Sequence, residues 1–185
     1  MSEMRIKAVS LFANVGIAEA YLSDIGIDVV VANEIEERRV DFYKHVYPEV
    51  NMIQGDITDP DVKAEIISKA RALGAEMVIA TPPCQGMSFN SVGKRLQEIR
   101  AGRKPKDDPR NSLIIPTIDI VKRLKPEWLL LENVEGMQNT IIPTPNGEYK
   151  NIIDYISEQL APEYIGRPEV VNCADYGIPQ TRVRL

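Results

Sequence analysis

Several residues in this chain have the chemical type and position to do chemistry. Cys84 follows two prolines, Pro82 and Pro83, at the end of the hydrophobic run Met77-Val78-Ile79-Ala80. The prolines stiffen the backbone just where the run stops. A thiol presented in this way is a candidate nucleophile, because a small misplacement of a nucleophile costs orders of magnitude in rate. It could equally be a small buried residue, as free cysteines usually are. Carboxylates follow three other stretches that read as strands: Glu34 after Asp28–Ala32, Asp56 after Asn51–Gln54, and Glu132 after Glu127–Leu131. An acid at such a position can accept hydrogen bonds from ribose hydroxyls, act as an acid or base, or simply cap a helix. Near the other end, Gln180, Arg182 and Arg184 alternate, so a strand would put them on one face, either aimed into a site or lying along a solvated edge.

The elements that must position these groups follow from the pattern. Ile6–Phe12 reads as the first strand, Ala13-Asn14-Val15-Gly16 as a turn, and Ile17–Leu22 as the start of a helix. This strand-turn-helix is either an ordinary connection or the place where a doubly wound fold holds the polar part of a nucleotide-like cofactor. Gly16 would let the backbone approach a ligand, and Asn14 tolerates a left-handed conformation. Helices are expected over Glu36–Tyr47, which includes the sole histidine, His45, and over Asp61–Leu73, which Gly74 ends. A further helix is expected over Asn111–Leu124, capped by Asn111 or Ser112, and another over Asn151–Leu160. Residues Ile141–Lys150 read as a loop, and Tyr164–Asn172 and Gln180–Leu185 as strands. The alternation of strands and helices predicts an α/β fold with a doubly wound, mostly parallel sheet.

Between Phe89 and Pro109 no strand pattern appears, and a loop of that length in a compact domain is usually functional. From Lys94 to Lys106 the six basic residues Lys94, Arg95, Arg100, Arg103, Lys104 and Lys106 face a single acid, Glu98. That is either a solvated loop or a basic lid able to close on phosphates. The whole chain has 185 residues, a net charge of −5 and a hydrophobic fraction of 44%. It suits one soluble domain without a global basic footprint. No run approaches a membrane span of about 20 residues, and the N-terminus has no signal-peptide form. Two cysteines without a CxxC suit a reducing cytoplasm. One histidine and two distant cysteines argue against a metal site and against a serine-histidine-aspartate mechanism.

Taken together and in order, these motifs resemble the DNA cytosine-C5 methyltransferases. Phe12-Ala13-Asn14-Val15-Gly16 is similar to the family's cofactor loop, and Pro82-Pro83-Cys84-Gln85 to its nucleophile motif. Asp108-Pro109-Arg110-Asn111-Ser112-Leu113 is similar to the motif after the lid. Glu132-Asn133-Val134 is similar to the catalytic carboxylate motif, and the stretch ending Gln180-Thr181-Arg182-Val183-Arg184 to the family's Gln-x-Arg-x-Arg motif. Asn14 and Ile17 depart from the family pattern, which has glycines there.

The resemblance implies a Rossmann-like, S-adenosylmethionine-dependent methyltransferase fold. It implies a catalytic domain over 1–185, with a cofactor-binding half over 1–80 and a catalytic half over 81–185. Phe12, Ala13, Asn14, Gly16, Ile17, Glu34, Asp56, Ile57, Pro82 and Leu113 would hold S-adenosyl-L-methionine. Cys84 would attack a flipped-out cytosine, Glu132 would serve its N3 and amino group as a buried, neutral acid, and Arg184, with Arg182, would hold its O2. Ser88, Lys94, Arg95, Arg100, Arg103 and Lys104 would touch DNA from the lid. Family members also carry a target-recognition domain and a closing C-terminal helix, neither of which is evident here. The chain is then either one subunit of a split enzyme or a truncated piece; the expected partners are DNA and, for a split enzyme, a second chain bearing that domain, with no membrane and no metal, in a cytoplasmic restriction-modification setting. Two other readings remain open: an RNA (tRNA) cytosine-5 methyltransferase of the same fold, and a noncatalytic cofactor-binding subunit.

Overall fold

A computed structural model describes residues 5–83, 87 and 108–185. Cys84 and the lid residues Ser88, Lys94, Arg95, Arg100, Arg103 and Lys104 lie outside the described residues. The chain forms two compact units. One runs to Thr81 and adds Asp119–Leu131; the other comprises Pro82–Ile118 and Glu132–Leu185.

The first unit is built on five strands: β1 (Ile6–Leu11), β2 (Ile27–Glu34), β3 (Asn51–Gln54), β4 (Met77–Ala80) and β5 (Trp128–Leu131). They form one sheet in the order β3-β2-β1-β4-β5, and every pairing is parallel. Parallel strands covered on both faces read as continuous apolar runs. Accordingly Ala8, Val9, Leu11, Val31, Ala32, Val78, Ile79 and Ala80 are all buried. Each fully buried aliphatic side chain contributes about 1.5–3 kcal/mol. The chain winds outward from β1 to β3 and then returns to place β4 on the other side of β1. That reversal makes the carboxyl ends of β1 and β4 the topological switch point, where open α/β sheets bind ligands.

Helices α1 (Glu37–Val46) and α2 (Pro60–Leu73) link these strands. Both ends of α2 are specified locally. The Asp59 side chain accepts the Asp61 N–H, Pro60 occupies the first turn, and Gly74 turns left-handed at φ +69° to satisfy the carbonyls of Ala70 and Arg71.

In the second unit the Asp108 side chain caps a 3-10 turn over Pro109–Leu113, which leads into helix α3 (Ile114–Leu124). The cap is therefore Asp108 rather than Asn111 or Ser112, because the tighter turn starts the element earlier. Strands β6 (Ile141–Pro143) and β7 (Tyr149–Asn151) pair antiparallel where a loop was expected. Asn146-Gly147 supplies the turn, with Gly147 at φ +85°. Helix α4 (Ile152–Leu160) starts at an Asn151 cap, whose side chain accepts the Ile153 N–H.

Three further expectations change. Residues 17–22 are not a helix: Leu22 bonds back to Glu19 and Ile25 to Leu22, a three-residue spacing that ends in a 3-10 turn at Ser23–Ile25. The segment is too short to repay helix nucleation before Gly26 stops it at φ +85°. The strand expected over 164–172 shrinks to β8 (Val171–Asn172), since Gly166 and Pro168 interrupt it. The last strand shrinks to β9 (Val183–Arg184), which pairs antiparallel with β8 and leaves Gln180 and Arg182 outside it.

Candidate active site

In the first unit the candidate cofactor residues gather where β1, β2 and β3 end. The turn after β1 is strongly bent: Phe12, Asn14 and Gly16 all have positive φ, at 61°, 53° and 80°. Non-glycine residues adopt this conformation only when their surroundings over-determine it. Here the Ala13 N–H reaches the Asn33 carbonyl at 3.0 Å, and the Gly16 N–H reaches the Ala13 carbonyl at 2.9 Å.

Glu34 completes the restraint. Its Oε2 accepts the Asn14 N–H at 3.0 Å. Its Oε1 accepts the N–H groups of Ile35 and Glu36, each at 3.0 Å. The carboxylate is only 5% exposed, and the Arg39 guanidinium stands 3.6 Å from Oε1. A carboxylate has about four lone-pair sites, so Oε2 retains acceptor capacity for one hydroxyl. Asp56 is exposed; its Oδ1 takes both the N–H and the hydroxyl of Thr58. Asp56 Oδ2 takes no hydrogen bond from a described residue. Two acceptor oxygens on neighbouring strand ends suit the hydroxyls of a nucleoside.

Gly16 also carries a packing task. A Cβ there would stand 2.2 Å from Tyr47 Cε2 and 3.0 Å from Tyr43 Cε2. The Tyr47 hydroxyl donates to the Gly16 carbonyl at 2.7 Å. The glycine makes room for two packed tyrosines, whose ring centroids are 4.9 Å apart. Ile17, by contrast, is 79% exposed, and Ile57 is buried.

Beneath this turn lies a residue the sequence reading passed over. Glu19 is buried and accepts the Ser10 hydroxyl at 2.5 Å, while its Oε2 is buried without a partner among the described residues. Burial pushes its carboxyl above the ordinary glutamate range, against the lowering effect of the Ser10 hydrogen bond. The Tyr43 hydroxyl is likewise buried without a partner, and burial, reinforced by the nearby Glu19 charge, raises its phenol.

In the second unit, Glu132 and Arg184 meet. Arg184 Nε lies 2.9 Å from Glu132 Oε1, and Arg184 Nη1 donates to the Val183 carbonyl at 2.7 Å. Glu132 Oε2 and Arg184 Nη2 make no such contact with a described residue, which leaves an acceptor and a donor side by side. Glu132 was expected to be buried; its side chain is 39% exposed, and its neighbour is a guanidinium. Arg182 is exposed and held through its backbone: its N–H donates to Asn172 Oδ1 at 3.2 Å, and its carbonyl accepts the Cys173 N–H at 2.9 Å. Pro82 is buried and its carbonyl accepts from Asn133 Nδ2 at 3.0 Å. Leu113 ends the Asp108-capped turn and is half-buried. Among the described residues no group of three or more His, Cys, Asp or Glu is placed to hold a metal. No helix among them is long and apolar enough to cross a membrane.

A parallel sheet of this order, with a bent turn after β1 and acids ending β2 and β3, is the fold of the S-adenosylmethionine-dependent methyltransferases, which is Rossmann-like. Solved structures agree on the fold. A prophage-encoded E. coli protein described as a DNA modification methyltransferase superposes with a TM-score of 0.71 at 24% identity, over 97% of this chain and 44% of that one. A variant of Spodoptera frugiperda DNMT2 gives a TM-score of 0.62 at 20% identity, over 97% and 48%. The model of the C-5 cytosine-specific DNA methylase family matches residues 6–185, and the chain belongs to that family. Type II methyltransferase M1.HgaI of Avibacterium volantium is 35% identical over 97% of this chain and 48% of that protein. Type II methyltransferase M.AquIA of Picosynechococcus is 30% identical over 98% of this chain and 71% of that protein. The chain thus spans about half the length of the first of these relatives.

Proposed function

We propose that this chain is the catalytic portion of a DNA cytosine-C5 methyltransferase, with residues up to 80 serving the cofactor and residues 81–185 the chemistry. Its substrate is a cytosine flipped out of duplex DNA, since a stacked base is out of reach. Target reading falls to a recognition domain on a second chain, in a cytoplasmic restriction-modification system. The observation that carries this reading is the Glu132–Arg184 pair at 2.9 Å. Its open acceptor and open donor complement a cytosine edge, which offers an amino group beside the acceptors N3 and O2.

The residues of the first unit fit S-adenosylmethionine: the unused acceptor capacity of Glu34 Oε2 and Asp56 Oδ2 matches ribose hydroxyls and a purine amino group. When bound, that group supplies an electrophilic methyl on a sulfonium. The chain's own residues do the rest. The Cys84 thiolate adds to carbon 6, which moves electron density to carbon 5 and makes it nucleophilic; a sulfonium methyl held beside it would be transferred as its S–C bond breaks and the neutral thioether leaves. Negative charge builds at N3 and O2 during the addition. Arg184 donates to that charge, and Arg182 supports it. Glu132 accepts from the amino group and serves N3. Loss of the carbon 5 proton then expels the thiolate and restores the ring. No histidine stands beside Cys84 in the sequence, so the local field or the substrate must assist its deprotonation.

The test mixes the chain with the product of the neighbouring gene and a duplex containing 5-fluorocytosine. Fluorine cannot leave as a cation, so the enzyme is trapped on its substrate. A covalent complex that Cys84→Ser abolishes supports the reading, and an undiminished complex removes Cys84 from its role. Methyl transfer to transfer RNA but not to duplex DNA would replace the substrate.

A further inference from the structure

Asn133 lies between the two motifs that carry the proposed chemistry, and it is 3% exposed. Four hydrogen bonds converge on it. Its Nδ2 donates to the Pro82 carbonyl at 3.0 Å. Its Oδ1 accepts the Val134 N–H at 2.9 Å. Its backbone N–H donates to the Leu185 carbonyl at 2.8 Å, and its own carbonyl accepts the Leu185 N–H at 2.9 Å.

Each bond fixes a different part of the site. Pro82 stands two residues before Cys84 in the sequence. Neither Pro82 nor Pro83 has an N–H, so this segment can be tied to the unit through its backbone only by accepting hydrogen bonds. The Pro82 carbonyl therefore needs a donor, and a buried acceptor without one is costly. The side chain of Asn133 supplies it. Meanwhile the reciprocal backbone pair with Leu185 sets the chain next to Arg184, whose guanidinium pairs with Glu132, the residue just before Asn133. The short, neutral amide offers a donor and an acceptor on separate atoms, so it can donate to one backbone group while accepting from another. Aspartate keeps the shape and the acceptor but lacks the donor when ionised.

We propose that Asn133 is a positioning residue: its amide holds the Pro82–Pro83 segment in register with Glu132 and Arg184. The proposal rests on the reading of Cys84 as the nucleophile. Asn133 touches no substrate and acts through the segment it holds.

The experiment measures the rate of covalent capture on 5-fluorocytosine duplex for the wild-type mixture, Asn133→Asp and Asn133→Ala. Thermal midpoints and S-adenosylmethionine affinity are recorded alongside. Cofactor affinity should change far less than capture, because Glu34 and Asp56 belong to the other unit and Pro82 is the cofactor residue that the Asn133 amide touches. Capture should slow by roughly a hundredfold, the effect of a displacement of about 1 Å. Asn133→Asp also offers a diagnostic pH profile. Once protonated, the new carboxyl can donate to the Pro82 carbonyl again. Position 133 is buried, and burial raises a carboxyl well above its ordinary value, so the capture rate of Asn133→Asp relative to wild type should recover as pH falls below neutrality, and that of Asn133→Ala should not. Capture at the wild-type rate in either folded variant would overturn the proposal, as would parallel pH profiles for the two variants. If the wild-type mixture itself forms no Cys84 adduct, the reading of the nucleophile fails and the positioning role falls with it.

Discussion

The carboxylate of Glu34 grips the backbone of Asn14 at 3.0 Å, so the acid that ends β2 holds the bent turn that follows β1. The same carboxylate accepts the N–H groups of Ile35 and Glu36. Glu34→Gln would leave one of these donors facing an amide NH2. The expected loss is about 1–3 kcal/mol of stability, the cost of an unsatisfied buried group. S-adenosylmethionine affinity should fall with it, because Asn14 at positive φ loses its restraint. Urea unfolding and calorimetric titration measure the two effects. Unchanged values in both would show that the turn stands without Glu34.

Gly16 and Tyr47 constrain the same turn from the other side. Gly16→Ala meets a positive φ and a tyrosine ring carbon at 2.2 Å, so Tyr47 must swing away and give up its hydrogen bond to the Gly16 carbonyl. The expected cost is about 1–3 kcal/mol. Tyr47→Phe, which removes the hydroxyl and keeps the ring, should cost only about 0.5–1.5 kcal/mol. A Gly16→Ala protein as stable as Tyr47→Phe would mean the ring yields freely and the packing account is wrong.

The legible parts of this fold were those set by local rules. The strands β1, β2, β4 and β5 are mostly apolar runs, α2 carries its own cap at Asp59 and its own stop at Gly74, and both features need only neighbouring residues. The runs over 17–22 and 164–170 misled because propensity was present without the length or the partner to sustain an element. Asn133 and Glu19 were missed for another reason. Asn133 bonds to Pro82 across 51 positions, and Glu19 answers a serine on a different element. Hydrogen bonds of that kind leave no periodicity in a sequence. Glu132 and Arg184 stood out by motif, yet their contact is a property of the chain path through β8 and β9.

Glu19 makes stability depend on pH in a defined direction. Burial raises its carboxyl in the folded protein above the ordinary value of 4.5. The folded state therefore holds this proton more tightly than the unfolded state does. Its contribution is fully present below about pH 4.5 and is lost as pH rises through the higher folded value. Ser10, Tyr43 and Tyr47 are the polar neighbours, and none carries a compensating positive charge. Glu19→Gln keeps an acceptor for Ser10 and removes the titration. It should be more stable than wild type at neutral pH, and the advantage should shrink toward pH 4.5. Urea midpoints for both proteins across that range check the sign, and a constant difference would place the Glu19 proton elsewhere.

Arg184 and Glu132 separate stability from chemistry. Their side chains are 22% and 39% exposed, so water screens the pair and its loss should cost no more than about 1 kcal/mol. Their proposed work on the substrate is larger: removing one donor from developing negative charge typically costs about 10²–10³ in rate. Arg184→Lys keeps the charge but cannot span both Glu132 and the Val183 carbonyl as the guanidinium does. Glu132→Gln keeps the shape but loses the charge that anchors Arg184. Each should slow capture on 5-fluorocytosine duplex by about 10²–10³ with little change in melting temperature. Because each residue orients the other, the double variant should be scarcely slower than either single one. Multiplying effects would instead show two groups acting independently, and the ion pair would then be incidental to the chemistry.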